Sequence, residues 1–166
     1  MKNEELRIHQ TLTMSTSNVF LILHSSLFIP CLLSMINKFF LQIGCLFALF
    51  GVVLGAFGAH GLESRLSPER LATFETGVRY QMYHAIALVL VAILAAFLKE
   101  QRLINIAGYL FVIGILLFSG SIYLLACREL IGLTTWRWLG PLTPIGGTCL
   151  IIAWGLLFYA ASIRIN

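Results

Sequence analysis

Residues 39–59 read FFLQIGCLFALFGVVLGAFGA and carry one strongly polar side chain, Gln42. A helix that rises about 1.5 Å per residue needs about 20 mostly apolar residues to cross a hydrocarbon core of about 30 Å. This stretch has that length and stops at His60-Gly61, where the sequence turns charged. It is the first membrane span, and it sets the reading of the rest.

The whole chain has the same bias. Of its 166 residues, 59% are hydrophobic and 11% charged, against about 25% charged in an average soluble domain. Too few charges remain to coat a water-facing globule, so the apolar surface must meet lipid or other helices. Moving outward, residues 63–79 form the most polar segment, with Glu63, Arg65, Glu69, Arg70, Glu75 and Arg79. Ser67-Pro68-Glu69 has the chemistry of a helix start: a capping hydroxyl, a proline at the first position and an acid at the positive end of the dipole. Leu71, Phe74 and Val78 recur at helical spacing, which predicts a helix lying in the interface ahead of a second span at about Tyr83–Leu98. The short polar link Lys99-Glu100-Gln101-Arg102 predicts an antiparallel third span over about Leu103–Ala126. Trp136 and Trp138 stand where interfacial rings are common, and a fourth span runs from about Pro144 to Ile163. The expected fold class is all-α: a polytopic membrane bundle of about four helices plus one interfacial helix.

The domain reading separates 1–34 from a membrane domain at 35–166. Val19–Ile36 is apolar but includes His24, Ser25, Ser26 and Pro30; a fifth span, a signal-like segment and a translation start at Met35 are all open. Positive charges fall four against five on the two sides of a four-span bundle, so they set no orientation.

The eleven Lys and Arg are scattered, with no run that would grip nucleic acid. Cys31, Cys45, Cys127 and Cys149 lie in or beside apolar stretches without CxxC spacing and read as small core hydrophobes. Gly51, Gly55 and Ala59 repeat every four residues, a stripe that lets another backbone approach closely, either within the chain or in a homo-oligomer.

His60, Glu75, Arg79, Tyr80, Gln81 and His84 are the candidate polar cluster at one membrane interface. Glu75 and Arg79 are four apart, as are Tyr80 and His84, so each pair shares a helix face. One reading makes the cluster a hydrogen-bonded lock between helix ends; another makes an imidazole relay protons or hold a ligand. A metal site would need a better-defined ligand set, and no metal or cofactor is expected. Thr143-Pro144, followed by Gly146-Gly147, predicts a capped start of the fourth span, whose free amides could also attract an anion. Ser119 and Ser121 flank Gly120 at depth, where back-bonding or a helix contact accounts for them. No nucleophile motif, P-loop or dinucleotide fingerprint is present, so an enzyme is not expected.

Four blocks carry a family resemblance: Gly55-Ala56-Phe57-Gly58-Ala59-His60-Gly61-Leu62, Tyr80-Gln81-Met82-Tyr83-His84, Leu117-Phe118-Ser119-Gly120-Ser121-Ile122-Tyr123, and Gly140-Pro141-Leu142-Thr143-Pro144-Ile145-Gly146-Gly147. In these the chain resembles the YgdD/YwdK-like small membrane protein family, domain-of-unknown-function family 423, whose vertebrate relative is transmembrane protein 256. The resemblance covers about Met35 to the C-terminus. It implies a multi-pass protein of the bacterial inner membrane and supplies no reaction. The expected function is a non-enzymatic bundle in contact with lipids, with a homo-oligomer or a membrane protein as partner; the alternative is a small transport or proton-handling oligomer.

Overall fold

A computed structural model describes residues 36–132 and 139–163. The N-terminal extension, Cys31, Trp136, Trp138 and Arg164 lie outside the described residues. Four helices follow one another: α1 (Lys38–Phe57), α2 (Pro68–Leu94), α3 (Gln101–Cys127) and α4 (Leu139–Ser162). A π-helical turn, Gly58–Leu62, continues α1. All four spans are long and apolar enough to cross a membrane. The helices alternate in direction, and each packs chiefly on its neighbour in sequence: α1 on α2, α2 on α3, α3 on α4. This order follows from the short connections, which leave consecutive spans nowhere to go but side by side.

Each helix buries one narrow stripe. On α3 this is Ile104, Ala107, Phe111, Ile115, Ser119 and Ile122; on α4 it is Gly146, Leu150, Ala153, Leu157 and Ala160. The spacing of three and four residues puts each set on one face. The opposite faces carry Phe39, Leu49, Phe50, Val52 and Phe57 on α1, and Ile151 and Phe158 on α4, all exposed. Large side chains facing outward in such numbers require a surrounding solvent as apolar as they are.

The glycine stripe of α1 is spent inside the chain. A Cβ on Gly44 would meet the Ala85 carbonyl oxygen at 3.0 Å, on Gly51 the Met82 methyl at 3.3 Å, and on Gly55 Val78 at 3.4 Å. Ala59 leaves this seam and is exposed, because a four-residue repeat drifts around a helix of about 3.6 residues per turn; Gly58 and Leu62 face inward instead. Gly120 has open space around it and packs nothing.

One end of the bundle carries Lys38, Lys99 and Arg102. There Asn37 caps α1 by accepting from the Phe40 amide, and donates to the Asn105 side chain at 3.2 Å. Gln101 donates to the carbonyl of Ala95, which caps α2 at its C-terminus, and to that of Leu98 in the connection that follows. At the other end Arg70 pairs with Glu129 and donates to the Ala126 carbonyl, above a cluster of Leu62, Phe74 and Ala126.

Several expectations change. No separate interfacial helix forms: α2 runs unbroken from Pro68 to Leu94, since no proline or helix-ending signal divides its amphipathic start from its span. Pro68 takes the first helical position, but the Ser67 hydroxyl makes no capping bond. Helix α4 starts at Leu139, five residues ahead of Pro144, so Pro144 is internal and Thr143 is no cap. The proline deletes only the bond to the carbonyl of Gly140, which sits exposed in the first turn and has no Cβ to crowd the ring. With the helix start moved, the amides proposed to attract an anion are bonded within the helix. Cys45 faces outward rather than into the core; Cys127 and Cys149 are half-buried, and all three are free thiols.

Candidate functional site

Among the described residues the buried polar side chains are Gln81, His84, Ser119 and Ser121. Two of them come from the predicted cluster, and the structure divides that cluster into three places. His60 is exposed on the π turn. Glu75 and Arg79 are exposed on α2 and make no ion pair among the described residues; the Arg79 guanidinium donates to the Thr76 hydroxyl at 3.1 Å instead. Only Tyr80, Gln81 and His84 work close together, and Gln81 and His84 do different things.

Gln81 ties three helices. Its amide nitrogen donates to the Phe47 carbonyl of α1 at 2.8 Å, and its amide oxygen accepts from the Tyr123 hydroxyl of α3 at 2.9 Å. The small face of Gly51 leaves room for this reach. A second tie joins α3 to α4: the Ser121 and Thr143 hydroxyls lie 2.7 Å apart, and Ser121 also donates to the Phe118 carbonyl at 3.0 Å. Gly146 lets α4 lie against the backbone of α3 beside this pair. Ser119 is buried with its hydroxyl unpaired.

His84 sits between two aromatic pairs. Tyr80 and Phe118 have centroids 4.8 Å apart; Phe111 and Trp154 pack edge-on at 5.2 Å. The imidazole is 6.0 Å from Tyr80, 5.8 Å from Phe111 and 6.4 Å from Trp154. Its Nδ1 lies 2.7 Å from the Tyr80 carbonyl oxygen. A carbonyl only accepts, so Nδ1 carries the proton, and in the neutral ring Nε2 is a bare acceptor. Nε2 has no hydrogen-bond partner among the described residues. Beside the ring lies a half-open cavity of about 280 Å³, walled by Tyr80, Phe118, Leu150 and Trp154, with Gly147 leaving part of the space.

The level of this cavity follows from counting. His84 is ten residues from the end of α2 at Leu94, and Trp154 eight from the end of α4 at Ser162. At about 1.5 Å per residue these are depths of about 15 and 12 Å from the Lys99 end, half of a hydrocarbon core of about 30 Å. On this count the imidazole sits about halfway along a span of that length, deeper than the charged residues at the Arg70 end. All titratable neighbours named in the sequence reading, His60, Glu75 and Arg79, lie toward the opposite end.

Sequence reasoning missed Tyr123, Phe111, Phe118 and Trp154 as partners. Trp154 left a signal, an indole in mid-span instead of near a span end. Phe118 and Tyr123 stood in one of the four quoted blocks, while Phe111 left none, being an apolar residue in an apolar run.

The family described as Protein of unknown function (DUF423) matches residues 54–147, which include all four quoted blocks. The UPF0382 membrane protein YwdK of Bacillus subtilis is 44% identical over 124 residues, covering 75% of this chain and 96% of the relative. A UPF0382 membrane protein of Staphylococcus haemolyticus is 41% identical, covering 72% and 92%. One of Haemophilus influenzae is 42% identical, covering 75% and 94%. No solved structure matches. The Tyr80–His84, Leu117–Tyr123 and Gly140–Gly147 blocks supply Tyr80, His84, Phe118 and Gly147 to the cavity. With its four spans and these matches, the chain is an integral membrane protein and belongs to the DUF423 family.

Proposed function

We propose that this is a non-enzymatic protein of the bacterial inner membrane that binds a molecule at mid-bilayer without passing it across. The observation that carries this reading is the uneven distribution of buried polar groups. The other buried polar side chains, Gln81, Ser119 and Ser121, occupy the half of the bundle toward Arg70, and His84 marks their deepest point. Beyond it, toward Lys99, the interior is Leu88, Val91, Ile104 and Phe111, all at most 2% exposed. A proton or ion reaching His84 meets packed hydrocarbon side chains, a medium in which an unpaired charge is strongly disfavoured. An oligomer built on the glycine stripe is disfavoured as well, because Gly51 and Gly55 already face α2. Helical spans favour the inner membrane, since outer-membrane proteins of two-membrane bacteria are typically β-barrels.

The test is reconstitution into proteoliposomes holding a pH-sensitive dye. The expected result is proton flux equal to that of empty vesicles across about pH 5–8, the range in which an imidazole relay operates. Flux above that background, lost on His84→Leu, would replace binding by conduction.

A further inference from the structure

We infer that the His84 cavity binds a lipid-soluble planar ring bearing a hydroxyl group, the chemistry shared by phenols and hydroquinones. This rests on the binding reading above and names the ligand class. Three observations converge on it. The bond from Nδ1 to the Tyr80 carbonyl fixes the tautomer and presents Nε2 as an acceptor with no protein donor among the described residues, so the site calls for a ligand that donates. A hydroxyl does so without carrying charge to mid-bilayer, where an ammonium or a carboxylate would be heavily penalised. Three aromatic rings, Tyr80, Phe118 and Trp154, wall the cavity beside the imidazole, and aromatic faces and edges favour a flat ring at centroid distances of about 4.5–7 Å. The volume of about 280 Å³ suits a substituted single ring, given that an apolar cavity of about 150 Å³ accepts benzene. Access is lateral: Trp154 is 47% exposed on the outer face of α4, so a molecule dissolved in the bilayer reaches the site without crossing water, and an alkyl tail remains in lipid.

Trp154 supplies the readout. In the Trp136→Phe/Trp138→Phe background it is the sole tryptophan of the three in the chain. The full-length protein in lipid nanodiscs is titrated with an alkyl-bromophenol, with the matching bromoanisole and with a bromoalkanol, each a heavy-atom quencher at equal membrane concentration. The expected result is saturable quenching by the bromophenol and about tenfold weaker binding of the other two, one lacking the donor and the other the ring. Gly147→Leu should weaken bromophenol binding about tenfold by filling the cavity, while the melting temperature holds, because a Cβ there lies 3.6 Å from the Phe118 ring, an ordinary contact. Bromophenol and bromoanisole binding equally tightly would overturn the ligand class and leave the binding reading standing. Quenching by all three that never saturates would overturn the binding reading itself.

Discussion

Gly146→Ala is expected to destabilise the bundle by about 2–3 kcal/mol, whereas Gly147→Ala, one residue on, leaves it unchanged or slightly more stable. The added carbon at Gly146 falls 2.9 Å from the Leu117 carbonyl carbon and the Phe118 Cα. These are main-chain atoms of α3, so no rotamer change relieves the overlap and the two helices must separate. Separation also loosens the Ser121–Thr143 bond, 2.7 Å long and three residues away along α4. At Gly147 the same carbon makes an ordinary contact with the Phe118 ring, and alanine adds helix propensity. In a chain of this size the cost at Gly146 corresponds to a fall in melting temperature of about 5–10 °C in detergent. Equal effects at the two positions would mean that α3 and α4 do not meet along this seam.

The second large effect belongs to the three-helix tie. Gln81→Leu is expected to destabilise by about 2 kcal/mol, because it strands the Tyr123 hydroxyl in an apolar interior and removes the bridge to the Phe47 carbonyl. Tyr123→Phe should cost about 1 kcal/mol, and the double variant about 1 kcal/mol less than the sum, within the range of interhelical hydrogen bonds measured in membranes. Reversible unfolding in bicelles measures all three. Strict additivity would show that Gln81 and Tyr123 do not share a bond.

The spans were readable because hydrocarbon imposes a simple rule on length and polarity, and four segments obey it without interruption. The limits of α2 and α4 were less readable. The start signal at Ser67-Pro68 is right, and those at Thr143 and Pro144 are not: a backbone in lipid gains by satisfying its amides within one continuous helix, so α2 absorbs its amphipathic prelude and α4 encloses its proline. The site was half readable. Tyr80, Gln81 and His84 could be placed on one helix from spacing alone. Their division of labour depends on which residues of α1, α3 and α4 stand opposite, and that is set by the contacts of Gly51 and Gly146. His60, Glu75 and Arg79 looked like members of one cluster because they are near in sequence; along α2 and the π turn, helical rotation and rise carry them outward and toward the Arg70 end. Ala59 failed for a related reason, since a four-residue repeat drifts around a helix of about 3.6 residues per turn.

A neutral imidazole offers one donor and one acceptor, so a lock between helices has two nitrogens to use. His84 engages one, and the cavity lies against the ring. That contrast separates it from Gln81, whose donor and acceptor are both used by neighbouring helices.

The most direct test of this account is the depth of Trp154, measured in the single-tryptophan background with phospholipids brominated at successive positions along their acyl chains. Quenching is expected to be strongest with bromines in the distal half of the chain, near the bilayer centre, as the count of residues to Ser162 requires. Strongest quenching from bromines next to the headgroup would place Trp154 and His84 at the interface and contradict the claim that this cavity is reached from the hydrocarbon.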